Sequence, residues 1–402
     1  MAPITMDPDI LTGAAAQYET VRNSADQVIR SLGNTLHTNW GCAGTDSAGA
    51  GWATSYDPAA FDAVAAGTNI VNAFGKLHDL LAATGVNHEN TERSNTIPPE
   101  APDGPSPQLP PASAPTFYGA YGGDTEAPIG WELITAWLQG HTWPNGDPDK
   151  LQALGKAWRT AATGLRDAND ATGTTWVTLE ELASDEMPQV LAQLDNVFVA
   201  TNDVAGQYDT LAAACDEWAQ TIEEAHRKIF DIVGKAIVIG ALAGAVTALF
   251  TLGAGTVAAA GATGSVIAAS VVGVLGAVDA VAVAAVGAVA AAGAAAVGAV
   301  NELQPLLEAN PTTFNANTGG GGGNPHHYYR APKNLAGFPN AKLVKRMNGR
   351  QRWKDDKGNI YEWDSMHGAV EKYGRNGRHL GEFDPDTGTQ TKPADPTRRA
   401  GK

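Results

Sequence analysis

Between Ala236 and Val278 the chain carries no charged residue, and after the lone Asp279 there is none until Glu302. This stretch constrains the fold most, because a bilayer is crossed by a helix of about 20 apolar residues and there is room here for two or three. Ala and Gly dominate it, with the large apolar side chains concentrated between Ile237 and Leu252. Gly240 and Gly244, four apart, permit close helix contact in lipid. Two readings stand together: membrane insertion of residues 236–301, or an Ala-rich helical hairpin packed on a neighbouring bundle. A segment folded back in water and inserted later satisfies both.

What precedes it is helical by periodicity. Leu11, Ala14, Tyr18, Val21, Ala25, Val28 and Leu32 form one stripe. After the turn-rich run NWGCAGTDSAGAGWATSYDP, Asp57 and Pro58 are read as N-cap and first turn of a second helix that carries Phe61, Val64, Val71, Phe74, Leu77 and Leu81. Residues 1–87 thus read as a helical hairpin, and the Pro-, Ser- and Gly-rich residues 88–128 as an extended linker. Asp147 and Pro148 repeat the start signal before Leu151, Leu154, Trp158 and Leu165. A long seam runs from Val190 through Leu194, Val197, Val204, Tyr208, Leu211, Cys215, Trp218, Ile222, Ala225 and Ile229 to Ile232, broken by Thr201. Such a seam requires partner helices, so residues 129–235 are expected to form an antiparallel bundle.

The 402 residues are too many for one ordinary domain, and charge divides them. From position 324 onward there are 16 Lys and Arg against 9 Asp and Glu, a net of +7. The remainder of the whole-chain 27 and 43 is 11 basic and 34 acidic, a net of −23. A basic block on an acidic body points to a polyanionic partner. Cys42 and Cys215 are too few and too far apart in sequence to frame disulfides or zinc. The start, MAPITMDPDILTG, has neither a basic nor an apolar region of a general secretory signal. Residues 302–325, with five successive glycines, read as a linker.

Beyond Pro332 the pattern becomes extended. AKLVKRM, RQRWKDD, NIYEWD, GAVEKY and RHLGEF are short strand-like runs separated by turns such as Lys357-Gly358 and Asn376-Gly377. The fold class is therefore multidomain: a mostly α-helical N-terminal region with a small twisted antiparallel β-sheet domain over 326–402. Trp353, Tyr361, Trp363, Tyr373 and Phe383 must supply much of its thin core.

Within that domain Asp364, His367 and Glu371 make a complete set of proton-transfer groups. On an extended strand His367 and Glu371 share a face, and Gly368 lets the backbone bend beside the histidine. Asp364 can hydrogen-bond the imidazole and favour its charged form, while Glu371 accepts a proton. RNA cleavage needs this pairing: a base for the 2′-OH, an acid for the leaving 5′-oxygen, and a cation for the phosphorane charge. Solvated salt bridges, or a metal site with His326 or His327 as fourth ligand, are the alternatives.

RQRWKDDKGNIYEWDSMHGAVEKYGRNGRHLGEFDPDTGTQTKPADPTRR resembles the cytotoxic ribonuclease domain of cloacin and the ribosome-inactivating colicins, with Arg-x-Arg-Trp, Tyr-Glu-Trp-Asp-Ser-x-His-Gly, His-Leu-Gly-x-Phe-Asp-Pro and Asp-Pro-x-Arg in order. The resemblance implies an endoribonuclease that needs no metal or other cofactor and cuts 16S rRNA of the bacterial ribosome at the decoding site. It implies a catalytic set of Asp364, His367, Glu371 and Arg398, with Glu371 as base, His367 as acid and Arg398 on the phosphate. Tyr328, Lys345, Arg350, Arg352 and Lys354 are expected to hold RNA. The family often has an acidic residue two places before its Glu; here it is Ala369, and Met366 precedes the histidine. WPNGDPDKLQALGKAWRTAA resembles the Trp-x-Gly-type helical domains of toxins exported by type VII secretion. The expected partners are the ribosome, a cognate acidic immunity protein, a type VII secretion chaperone or partner, and a membrane touched by 236–301. The expected site of action of this secreted protein is the cytoplasm of target bacteria. A pore-forming protein and a non-catalytic RNA-binding module remain the rival readings.

Overall fold

The computed structural model describes residues 7–123, 125–182, 186–238, 257–311, 331–347, 350–364, 368–395 and 398–400. A mostly helical region precedes a six-stranded antiparallel sheet, the fold class read from the sequence. Helix α1 (Pro8–Thr38) starts where Asp7 caps the Asp9 amide, and it buries Leu11, Ala14, Tyr18, Val21, Ala25 and Leu32, the expected stripe. Helix α3 (Pro148–Asp170) repeats the device, Asp147 accepting the Lys150 amide at 3.1 Å.

The same dipeptide misleads at Asp57-Pro58. Helix α2 runs Ser47–Ser94 with Asp46 as its cap, and Pro58 lies inside it. The helix is already under way by Asp57, so that carboxylate is free for a tertiary role and accepts the Ala120 amide at 2.6 Å. Helix α2 also extends seven residues into the segment read as linker. The chain after it is irregular yet tied down: Asn72 exchanges two hydrogen bonds with the Ala112 backbone, and Asp79 accepts the Leu109 amide.

Helices α4 (Gly173–Glu180) and α5 (Met187–Val238) complete the bundle. The α5 seam is buried from Leu194 to Ile229. Thr201, its break, is fully buried because its hydroxyl donates to the Val197 carbonyl and leaves no polar group unmet. Three large side chains cross-link the layers by their polar tips. Trp158 donates to Tyr56, Trp218 to the Ala43 carbonyl and Tyr208 to the Ala63 carbonyl. Aromatic bodies are buried while each polar atom finds a partner. Cys42 and Cys215 are free and fully buried, and burial pushes the Cys42 thiol up to about 12.

Helix α6 (Val257–Asn301) lies along the bundle, with the short α7 (Gln304–Leu307) after it. Residues 239–256, which hold much of the apolar stretch, are outside the described residues. Ala268, Val271 and Leu275 of α6 pack with Trp131, Ile134, Leu138, Trp143, Ile229 and Val233, and Val289, Ala292, Ala296 and Val300 join the main core. The rest of the helix is open: Ser265–Asn301 could cross a membrane by length and composition, yet only 28% of its most apolar window is buried. Its one charge, Asp279, accepts from Ser47 and pairs with His141 at 3.6 Å.

The sheet is a meander, β1 (Lys342–Met347), β2 (Arg350–Lys354), β3 (Ile360–Asp364), β4 (Ala369–Tyr373), β5 (His379–Phe383) and β6 (Gln390–Lys392), each paired with the next. Turn glycines Gly358, Gly368 and Gly377 have φ of 81°, 63° and 76°, which glycine accepts without strain. One face carries Trp353, Tyr361, Trp363 and Val370, covered by Leu335, Phe338 and Ala341. Trp353, fully buried, donates to the Lys333 carbonyl and pins that cover. Lys372 extends its ammonium over the rings of Phe338, Tyr361 and Phe383.

Candidate functional site

Strand alternation sends the other set of side chains to the opposite face, where register aligns a row of charge. Arg352 lies opposite Glu362, Glu362 opposite Glu371, Glu371 opposite Glu382, and Glu382 opposite Lys392. The three glutamates and Arg352 are buried. Buried carboxylates are tolerated only when paired. Arg352 Nε donates to Glu362 at 3.0 Å, and Lys392 Nζ to Glu382 at 2.8 Å.

Glu371 is held from two sides. Arg398 Nη1 donates to its Oε1 at 2.6 Å, and His379 Nε2 stands 2.6 Å from its Oε2. Arg398 arrives because the terminal segment doubles back along β5: the Ala400 amide donates to the Gly377 carbonyl, and Arg378 bridges Arg399. That segment also fixes the imidazole. The Asp395 amide donates to His379 Nδ1 at 2.8 Å, so Nδ1 is an acceptor and the ring proton resides on Nε2, aimed at Glu371. Burial works against the charge of Arg398, but Glu371 and Tyr373 outweigh it and hold its pKa above the ordinary guanidinium value. Arg350 is likewise raised, burial being outweighed by Asp195 on α5, Glu362, Tyr373 and Asp364. Tyr373, against the His379 ring at 5.1 Å, is pushed up to about 12 by burial.

Of the residues singled out from the sequence, Asp364 ends β3, Glu371 is central in β4, and Arg398 meets Glu371. His367 and Tyr328 lie outside the described residues, as does the side chain of Lys345. The φ of Gly368 supplies the bend expected next to His367. Lys354 is exposed at the end of β2. Arg352, expected to hold RNA, is 6% exposed and bonded to Glu362 on the crowded charged face of the sheet. Asp364, Glu371 and Glu382 bring carboxylate oxygens within 4.8 Å of one another. Such a group could attract a cation, but both oxygens of Glu371 and those of Glu382 already accept from protein donors, so the donor set does not favour a metal.

His379, Glu362 and Glu382 are the site residues that sequence reading missed. Glu362 was legible, two places from Asp364 on one strand face. His379 was not, because simple alternation puts it on the face opposite Glu382. A bulge between Lys372 and Tyr373 in the β4–β5 pairing sets Tyr373 opposite His379 and turns the imidazole toward Glu371.

A small sheet in which a buried acid and imidazole meet a half-buried guanidinium follows a mostly helical body, and similarity to known proteins supports a bacterial toxin with a cytotoxic C-terminal domain. Comparison with known proteins gives the same architecture. Residues 329–400 match the family described as Cytotoxic, and residues 126–275 match the WXG100 like domain. The chain is 30% identical over 246 residues to the outer membrane channel protein CpnT of Mycobacterium tuberculosis, covering 58% of this chain and 28% of that protein. It is 30% identical over 193 residues to the putative NAD(+)--arginine ADP-ribosyltransferase Mav of Mycobacterium avium, covering 47% and 23%. Colicin E3 of Escherichia coli is 47% identical over 83 residues, 18% of this chain and 15% of the colicin. The chain thus spans 28% and 23% of the length of these two mycobacterial relatives. What it joins is a WXG100-like helical region and a colicin E3-like cytotoxic domain.

Proposed function

We propose that the C-terminal domain is an endoribonuclease that cuts 16S rRNA in the decoding site, and that the helical region belongs to the machinery that exports and delivers it. The observation that carries this reading is the clamp on Glu371, one oxygen on His379 and the other on Arg398, in a domain of the colicin E3-like type. A substrate phosphate draws Arg398 from Glu371, because a guanidinium fork fits phosphate oxygens. Oε1 is then bare while Oε2 stays anchored on His379. Glu371 takes the 2′-OH proton, the 2′-oxygen bonds to phosphorus, the P–O5′ bond breaks, and His367, supported by Asp364, protonates the leaving 5′-oxygen. The products are a 2′,3′-cyclic phosphate and a 5′-hydroxyl. Surface cations such as Lys354 hold the RNA backbone, a sequence-blind and salt-sensitive contribution.

The proposed partners follow: the ribosome, an acidic immunity protein facing the basic domain, and a type VII secretion partner for the WXG100-like region. The test is incubation of the purified chain with bacterial ribosomes; intact 16S rRNA at the end would reject the assignment.

One observation favours a second activity in the same chain. Helix α6 is long, nearly uncharged and mostly open on the body's surface, which suits contact with lipid during delivery. Vesicles of phosphatidylethanolamine and phosphatidylglycerol that leak dye on addition of the chain would support it, and unchanged vesicles would remove it.

A further inference from the structure

Glu382 has no part in the reaction as described, yet it stands in register beside the proposed base and is only 5% exposed. Three carboxylates within 4.8 Å repel, and burying two of them, Glu371 and Glu382, costs stability that an apolar residue would not. Nothing in the domain's core calls for one there, since the aromatic layer is on the other face. The bonds of Glu382 show what it holds. Oε1 accepts from the Thr391 hydroxyl at 2.8 Å and Oε2 from Lys392 Nζ at 2.8 Å. Both partners belong to β6, a three-residue polar strand with every residue exposed. The strand can come this close only because residue 381 is glycine: at φ 127° a Cβ would run into Gln390 and lie within 2.5 Å of the Lys392 carbonyl oxygen. Lys392 is thereby drawn from the sheet edge to within one side chain of Glu371, while its own side chain keeps 53% of its surface open to solvent.

Resting on the ribonuclease reading, we propose that Glu382 is a positioning residue that fixes the Lys392 ammonium beside Glu371, where it receives the RNA phosphate adjoining the one that is cut. Lys392 suits that task better than Arg398, which must leave Glu371 to bind phosphate. An ammonium has three donors, and Glu382 uses one. With 53% of the side chain exposed, the remaining donors are within reach of solvent and ligand, and a strand bound there is set in register with the Glu371 oxygen. Ala369, on the same face as Glu371, adds no competing charge.

The test uses the full chain. Glu382→Gln keeps size and the Thr391 contact but weakens the hold on Lys392. With bacterial ribosomes, single-turnover cleavage is expected to fall about tenfold, the equivalent of one charge-assisted hydrogen bond. RNA affinity should stay equal or rise, because a negative charge is gone, and the melting temperature should not drop. Lys392→Gln should fall similarly, and the double variant little further. A loss that tracks a lower melting temperature, or additive losses, overturns the proposal. A second arm needs no cleavage and so separates this idea from the ribonuclease reading. Acetic anhydride labelling of Lys392, read by mass spectrometry, should be slower than at Lys354, faster in Glu382→Gln, and suppressed by a single-stranded RNA oligonucleotide. Labelling of Lys392 that RNA leaves unchanged sinks the proposal even if ribosomes are cut.

Discussion

The imidazole of His379 and the carboxylate of Glu371 share a hydrogen bond of 2.6 Å, both side chains only 3% exposed. With Nδ1 occupied by the Asp395 amide, the ring meets Glu371 as a neutral donor. It orients a carboxylate without adding charge.

Replacing His379 by Ala should therefore slow cleavage by about 10- to 100-fold, the range for losing one buried hydrogen bond to a charged acceptor. Gln, which can still donate to Glu371, should recover part of it. Single-turnover assays on ribosomes, beside a melting curve for each variant, decide the matter; equal rates for Ala and wild type would remove His379 from the site.

Arg398→Lys keeps the charge but loses the planar fork, so it should bind RNA almost normally and cleave more slowly, by about tenfold or more. Filter binding and cleavage rates measured together would show the split. Parallel loss of both would mean the residue serves only to attract RNA.

Trp353→Ala should unfold the sheet domain. The indole is wholly buried and anchors the covering segment at Lys333, and emptying such a site costs about 3–5 kcal/mol. In a domain this small that is much of the total stability. A partial loss of near-ultraviolet dichroism, the share of the sheet's own aromatics, with retention of the helical signal is the expected result.

His226 gives the helical region a pH dependence. Burial lowers its pKa, opposed by its bond to the Pro144 carbonyl and by Asp46. The unfolded chain thus takes up its proton first as pH falls, and stability declines from the ordinary histidine value down to the lower folded one. His226→Phe, which keeps the stack on Trp143, should flatten that decline between pH 7 and 5 in thermal melts. Asp46 and Asp57, raised chiefly by burial, act in the opposite sense at lower pH, so the variant and wild type must be compared at each pH.

Periodicity made most of the helices and five of the six strands legible, because burial on one face leaves a repeat of 3.6 or 2 in the sequence. Pro58 was misread because a helix start was inferred from two residues, whereas the real cap is Asp46 and Asp57 is spent on Ala120, 63 positions further on. Strand β6 was invisible: Gln390, Thr391 and Lys392 have no apolar pattern, and their pairing depends on Gly381 across the sheet. Asp364 and Glu371 were singled out by their spacing and Arg398 by the family resemblance, and the fold brings Arg398 onto Glu371. His379 was hidden because a bulge, which no alternation rule foresees, reverses the face it occupies.

Under the proposed delivery, the bond between Arg398 and Glu371 has a consequence for the journey before cleavage. Each group muffles the other, so until a competitor arrives the Glu371 oxygen is not an idle proton acceptor and the Arg398 guanidinium is not a bare cation. Only a polyanion able to outbid a carboxylate for the guanidinium releases both at once, and under the proposed mechanism the nucleic acid itself arms the blade that cuts it.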